Sequence, residues 1–534
     1  VDFFNYMIAH FLLFVNSNFI ILYIFFVFPH HKPMKNSVGK GAFILIASGI
    51  VCKIFGALFR LPLTNIISIR GIGVFQMVMS LYSLSLGLVS SGVTNALSKL
   101  ISGARARGEY NKIGGYFRLA IIFSVGLSVA LGILFLLLSR TIASLQGFAD
   151  ADLSYMLLSL LLPLGAFIGC YRGCIQGYEN MTPTAVSQII EQLFKFAFGL
   201  LFAYLFRKSI GGGVFGAFLG ITVSEFLAFL YLAFVMRRLR IKPNNTYVKH
   251  DFFKAVTPLT LSAVVLPLAF AIESLVIVSL LISAGLDGDL ATTLYGLNNG
   301  VVGAILHFPL VISVAVAMVL LPKISFLSAK NDDVAEKNIV NKAFIIMWFL
   351  LIPLIVGINS IARDLYPIIY PSVSGELLEV AVQLTVLSSF AVILNAFSQF
   401  LNSILQAKGF YNHSLAFFVI GGILKILTLV IFAINPSINI YAIPISNVVL
   451  YSTFAICSLI KLGFLIKIDV FSFSLPLVSA FAMFLVVKLW LSLLSGVWGV
   501  LSGVIIGGGV YLALCFPLVL GYGREFFQKM RPKV

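Results

Sequence analysis

Charge is scarce in this chain. Of its 534 residues, 10% are Asp, Glu, Lys or Arg, where a soluble globular domain carries roughly 25%; the apolar share is 60% and the mean hydropathy is +1.07. A water-soluble core is excluded. Also missing is any polar or Pro/Ser-rich stretch long enough to link separate soluble domains, so the length reads as one membrane unit. Acids are scarcest of all, 19 against 36 Lys and Arg. The resulting charge of +17 does not indicate nucleic acid, because the cations lie mostly in short gaps between apolar runs, where the positive-inside rule places them.

Cysteine is also sparse. Cys52, Cys170, Cys174, Cys457 and Cys515 all fall inside apolar runs, and the single close pair, Cys170 and Cys174, lacks the further Cys or His that a zinc site needs. The chain has no G-x-x-x-x-G-K-[ST] loop, no H-E-x-x-H and no Ser-His-Asp arrangement, and its six histidines are scattered. Neither a nucleotide motor nor catalysis, a metal site or a cofactor is expected.

What the chain has in abundance is apolar runs of membrane-crossing length. A hydrocarbon core of about 30 Å takes about 20 helical residues. From residue 41 onward fourteen stretches meet that length, opening with 41–61 and 72–98 and closing with 472–493 and 496–520. The expected fold is an all-α polytopic membrane protein. A fifteenth stretch, 3–28, precedes these in a segment that opens on Val1 and reaches Met34-Lys35. That segment reads as an extra N-terminal helix, a signal-type segment or a mis-assigned start; it lacks the basic n-region and small-residue cleavage site of a signal peptide. The mis-assigned start, with Met34 as the true beginning, is the favoured expectation.

Allocating cations to alternate sides of the fourteen segments tests the count. One side collects Lys99, Arg105, Arg107, Lys112, Arg118, Arg237, Arg238, Lys249, Lys254 and the tail after Arg524; the other holds few cations but Asp150, Asp152, Asp287, Asp289, Glu376 and Glu379. The segregation predicts that both ends of the 34–534 unit face the cytoplasm, in the cell membrane.

A weak internal repeat divides the unit. Leu97-Ser98-Lys99 matches Leu321-Pro322-Lys323 at an offset of 224, and Gln176-Gly177 ahead of Lys195 matches Gln406-Ala407 ahead of Lys425 at an offset of 230. The expected division is an extension at 1–33, six-helix bundles at 34–242 and 243–462, and two further helices with a basic tail at 463–534. Transport sites in folds with such repeats lie between the halves, near the midplane.

Ionisable residues inside helices cost about 2.5–3.5 kcal/mol each on insertion scales and so mark functional positions by default. Lys53, Gly56 and Arg60 form one stripe of the first helix, with the alternative that Arg60 snorkels to the surface. Thr184, Gln188, Glu191, Gln192 and Lys195 form a continuous polar face, and Glu191 stands in the favourable order for an intrahelical pair with Lys195. At the repeat position of Glu191 stands Gly421, which predicts that Lys425 lacks an acid partner. Asn395, Gln399, Asn402 and Gln406 form a stripe that the repeat maps onto Gly165, Gly169, Arg172 and Gln176; it reads equally as polar glue between helices. Glu225 and Glu273 are the remaining deep acids, open to a proton, a sodium ion or a buried hydrogen-bonding role. Gly212, Gly216 and Gly220, and separately Gly503 and Gly507, mark close helix contacts.

The run from Tyr171-Arg172-Gly173-Cys174 through Met181-Thr182-Pro183 to Glu191-Gln192, together with Lys53 to Arg60 leading into Arg70-Gly71-Ile72-Gly73, resembles the stage V sporulation protein B group. That group belongs to the multidrug/oligosaccharidyl-lipid/polysaccharide exporter superfamily, and the resemblance covers nearly all of residues 34 to 525. It implies a flippase that moves an undecaprenyl-diphosphate-linked saccharide, lipid II or a related precursor, across the membrane by alternating access. The partners implied are that lipid-linked oligosaccharide, the membrane and a coupling sodium ion or proton, with the chain acting as a monomer. The cationic cavity would comprise Lys53, Arg60, Arg172, Lys195 and Lys425, with Gln176, Gln188, Glu191, Asn395, Gln399 and Asn402 as its polar lining and, for ion coupling, Glu273 as the favoured acid with Glu225 as the other candidate. The second-helix arginine of lipid II flippases has no counterpart in 72–98, which holds no charge. The alternatives are a cation-coupled multidrug exporter of the same superfamily, which would prefer an acid-dominated cavity, and a non-transporting sporulation scaffold.

Overall fold

A computed structural model describes residues 38–239, 244, 246–329, 332–463 and 470–517. The expected extension at 1–33, the start at Met34 and the tail after Arg524 lie outside the described residues. Among the described residues thirteen helical stretches are long and apolar enough to cross a membrane. The first of them, Ala47–Ala106, is 60 residues long and holds most of the expected segment 41–61 and all of 72–98. At about 1.5 Å per residue it far exceeds one crossing.

A local break divides it. Within α1 (Val38–Leu86), Ser68 leaves the helical region with φ 73° and ψ 170°, an uncommon conformation for a residue with a Cβ. Its Oγ then accepts a hydrogen bond from the Gly71 N–H at 3.3 Å, which caps the helix that follows. After a π-helical turn at Gly87–Ser91 the chain continues as α2 (Gly92–Ala106).

The following helices are α3 (Tyr110–Leu145), α4 (Asp152–Gly177), α5 (Thr182–Leu205) and α6 (Ile210–Leu239). The glycine series works as expected on α6: a Cβ at Gly212 would meet the Phe206 carbonyl oxygen at 2.5 Å, and one at Gly216 would lie 2.6 Å from the Phe202 carbonyl carbon. Near its C-terminal end the chain repeats the device, where a Cβ at Gly507 would meet Val487 at 2.6 Å, while Gly503 is packed more loosely.

The second part comprises α7 (Lys249–Ser283), the short α8 (Gly288–Gly296), a π-helical segment at Leu297–Val302, α9 (Gly303–Ala329), α10 (Asp333–Ile369), α11 (Glu376–Ala407), α12 (Tyr411–Ala433) and α13 (Ala442–Leu462). Asp287 caps α8 by accepting from the Asp289 N–H at 3.0 Å, and Asp332 caps α10 through Ala335 N–H at 3.0 Å. The last helices, α14 (Val470–Leu493) and α15 (Gly496–Leu514), dock on α10 through Trp348 stacked on Phe473 and the Tyr511 hydroxyl donating to the Phe349 carbonyl at 2.8 Å.

The buried apolar side chains form separate cores. Among the described residues two draw chiefly on 59–256, three chiefly on 277–462, and a sixth joins Ile352 and Ile361 chiefly to residues of α14 and α15. All five cysteines are free.

Candidate functional site

A cavity of about 470 Å³ lies among α1, α7, α8, α9, α11 and α13. Its wall is built by local departures from regular helix. Pro267 sits inside α7, where it removes a backbone donor, and the π-helical segment at 297–302 turns two successive amides, Asn298 and Asn299, to the cavity. The amides are tied together: Asn298 Nδ2 donates to Asn299 Oδ1 at 2.9 Å, Gln76 Nε2 to the Asn299 carbonyl at 3.2 Å, and Asn299 Nδ2 to Glu273 Oε1 at 3.4 Å.

Arg60 enters from α1 and His307 from α9. Among the described residues Arg60 is the sole Lys or Arg on the wall, and none of the ion pairs found there involves it. Arg60 thus stands on the wall of an interior cavity, where the alternative had it snorkel to the surface. Three of the site residues read from the sequence share this cavity: Arg60, Glu273 and Asn395.

Lys425 stands behind the wall, fully buried, and the expectation that it lacks an acid is corrected. Its ammonium donates to Glu273 Oε2 at 2.5 Å and to the Asn447 side-chain oxygen. The acid comes from α7 rather than from one turn earlier on α12, because position 421 is a helix contact: a Cβ there would lie 2.8 Å from the Leu450 carbonyl oxygen.

The remaining first-half residues form a second polar cluster. Glu191 pairs with Arg172 of α4 at 3.0 Å, not with Lys195, and Arg172 Nε also donates to Ser187 Oγ at 2.9 Å. Lys195 instead places its Nζ 5.3 Å from the centre of the Phe59 ring. Gln188 accepts from Ser48 Oγ at 3.3 Å. Glu225, buried, accepts from the Tyr82 hydroxyl through Oε1, while its Oε2 has no hydrogen-bond partner among the described residues. Gln176 is half-buried and Lys53 exposed; neither borders the cavity.

On α11 the polar stripe is largely self-satisfied. Gln399 Nε2 donates to Asn395 Oδ1 at 2.9 Å, and Asn402 Oδ1 accepts from Ser414 Oγ of α12 at 2.5 Å and from Gln406 at 3.4 Å. Gln399 and Asn402 act as polar glue between or along helices.

Sequence reasoning missed Gln76, Asn298, Asn299, His307 and Asn447. The signal was present, since each is a polar residue inside an apolar run, the same criterion that singled out the deep charges. Among the described residues no group of three or more His, Cys, Asp or Glu could hold a metal ion.

A multi-pass helical membrane protein with a polar cavity between helices from the two parts of its chain is the class that this fold and site define. The structure of the lipid II flippase MurJ in its inward closed conformation shares the fold, with a TM-score of 0.68 at 16% identity over 90% of this chain and 99% of that one. The polysaccharide biosynthesis protein family matches residues 38–328, more than half of the chain, and the chain belongs to that family. Stage V sporulation protein B of Bacillus subtilis (strain 168) is 25% identical over 420 residues, 76% of this chain and 80% of that protein. Lipid II flippase MurJ of the same organism is 24% identical over 433 residues, 74% and 77% of the respective chains.

Proposed function

We propose that the chain is a flippase that carries an undecaprenyl-diphosphate-linked saccharide across the cell membrane by alternating access of two bundles, 34–242 and 243–462, with the helices of 463–534 appended and both ends of the 34–534 unit in the cytoplasm. It works as a monomer in this reading. The observation that carries it is Arg60, a guanidinium on the wall of a cavity shared by both parts of the chain, with no acid paired to it among the described residues. A phosphate group entering the cavity exchanges its hydration for that guanidinium and for the amides of Gln76, Asn298 and Asn299. Similarity to MurJ, named a lipid II flippase, supports the same cargo class.

A drug exporter for organic cations needs an available acid. The acid on the cavity wall, Glu273, is already paired with Lys425. Of the two acids considered for ion coupling, Glu225 keeps an oxygen without a hydrogen-bond partner among the described residues, so coupling to a proton or sodium ion is assigned to Glu225.

The test is twofold. Expression of the chain in a strain depleted of its lipid II flippase should restore growth, and the purified protein should bind undecaprenyl-diphosphate-linked disaccharide. Normal membrane expression without either result would overturn the reading and leave the scaffold alternative.

A further inference from the structure

A lysine ammonium has three N–H donors, and three acceptors surround that of Lys425. They are Glu273 Oε2 at 2.5 Å, the Asn447 side-chain oxygen, and the face of Phe270, whose ring centre lies 4.5 Å from Nζ. Solvent reaches neither member of the ion pair: the Lys425 side chain is 0% exposed and that of Glu273 2%. The close contact of Gly421 with Leu450 sets α12 hard against α13, which carries Asn447, and holds the ammonium within reach of both oxygens.

Without the ammonium, the same position would offer an anionic carboxylate oxygen and a neutral amide oxygen in a water-poor wall. Hard monovalent cations favour such oxygen sets. A buried carboxylate with no counter-charge is costly, so it must be either protonated or paired with a positive group, and here the chain itself provides that group.

We propose that Lys425 is a tethered counter-cation: its ammonium fills the place that a dissociable monovalent cation would take at Glu273, so this wall needs no ion from solution, and removing the ammonium opens a cation site. A dissociable ion would make the charge of the wall follow the salt outside the membrane. A tethered one does not. The consequence for a carrier rests on the flippase reading, but the cation site itself does not, and the experiment uses no lipid substrate, so its failure leaves that reading standing.

The experiment is thermal unfolding of the purified chain in sodium, lithium, potassium or choline chloride at one ionic strength, at pH 6 and again at pH 9. Wild type should show no sodium or lithium gain that depends on Glu273; any response at Glu225 is common to all the variants. Lys425→Ala should gain several degrees more than wild type in sodium or lithium over choline, saturably, and that extra gain should vanish in Lys425→Ala combined with Glu273→Gln. A sodium-specific gain in wild type that Glu273→Gln abolishes would overturn the proposal, as would a folded Lys425→Ala indifferent to the salt at both pH values. Lys425→Gln replaces Lys425→Ala if the smaller side chain prevents folding. Failure of both to fold in every salt, while Lys425→Met with Glu273→Gln folds, also overturns it, because a soluble cation then cannot stand in for the ammonium.

Discussion

Gly73 of α1 and Gly296 of α8 lie backbone against backbone: a Cβ on Gly73 would come within 2.6 Å of the Thr292 carbonyl oxygen and 3.0 Å of the Gly296 nitrogen. The crossing joins the two parts of the chain next to the cavity and is flanked by the ion pair of Arg70 with Asp289 and by Asn65 Nδ2 donating to the Ile369 carbonyl at 2.8 Å. Backbone atoms cannot yield as a flexible side chain would. Gly73→Val should therefore cost about 1–3 kcal/mol, as overpacking does, and lower both the unfolding temperature and transport, whereas Met79→Leu, on the same helix, should leave stability nearly unchanged. Equal stability of Gly73→Val and wild type would show that the crossing opens freely.

Arg60→Gln should weaken binding of the lipid-linked diphosphate. A charge-assisted hydrogen bond contributes about 1.5–3 kcal/mol, so the dissociation constant should rise about ten-fold to a hundred-fold at normal expression. Arg60→Lys should recover part of that loss, since it restores charge without the planar fork. Calorimetric titration of the purified variants reads both.

The Arg172–Glu191 pair calls for a different signature. Its side chains are 16% and 24% exposed, and Arg172→Gln should cost about 1.5–3 kcal/mol of stability by stranding Glu191, while Lys195→Gln should cost less because its recorded partner is the Phe59 ring. Replacing both Arg172 and Glu191 with Met should restore much of the loss. Unfolding temperatures of the three variants decide it, and a larger loss for Lys195→Gln would return Glu191 to Lys195.

Glu225→Gln preserves an oxygen to accept from Tyr82 and removes the charge. Transport by this variant should lose its dependence on pH and sodium while its unfolding temperature changes little. Initial rates measured across pH at fixed sodium, and across sodium at fixed pH, provide the check; an unaltered profile removes Glu225 from coupling.

Single cysteines placed at 110, 150, 288 and 375 in a cysteine-free chain test the orientation. An impermeant maleimide applied to intact cells should label 150, 288 and 375 but spare 110 until the membrane is opened. Strong external labelling at 110 would reverse the topology.

The helices were legible because apolar runs of crossing length leave little freedom in a bilayer, and the glycines of α6 declared their contacts by spacing alone. Periodicity states which residues share a helix face, but not which faces of different helices meet. That is why Glu191, correctly placed on a polar face with Lys195, turned out to be paired across to α4, and why Lys425 found Glu273, 152 residues earlier. The Ser68 break escaped the reading for another reason: it has no Gly or Pro at the bend itself, and depends on a hydroxyl cap that many serines could form. The neutral amides of the cavity were overlooked because insertion costs single out charges first, although in a dry wall an amide needs partners nearly as much.

The ion pair of Lys425 and Glu273 also has an electrical meaning. Each elementary charge carried through the membrane field exchanges about 2.3 kcal/mol per 100 mV, and a lysine locked to a glutamate contributes nothing to that sum. In the flippase reading, a wall that alternates between the two faces of the membrane moves this pair as a dipole with no net charge. The wall's own share of the current is then set by Arg60 and the anionic cargo against it, apart from the ion coupled at Glu225, and that share changes sign between the empty and the loaded stroke whenever the cargo brings two negative charges to meet that one positive charge.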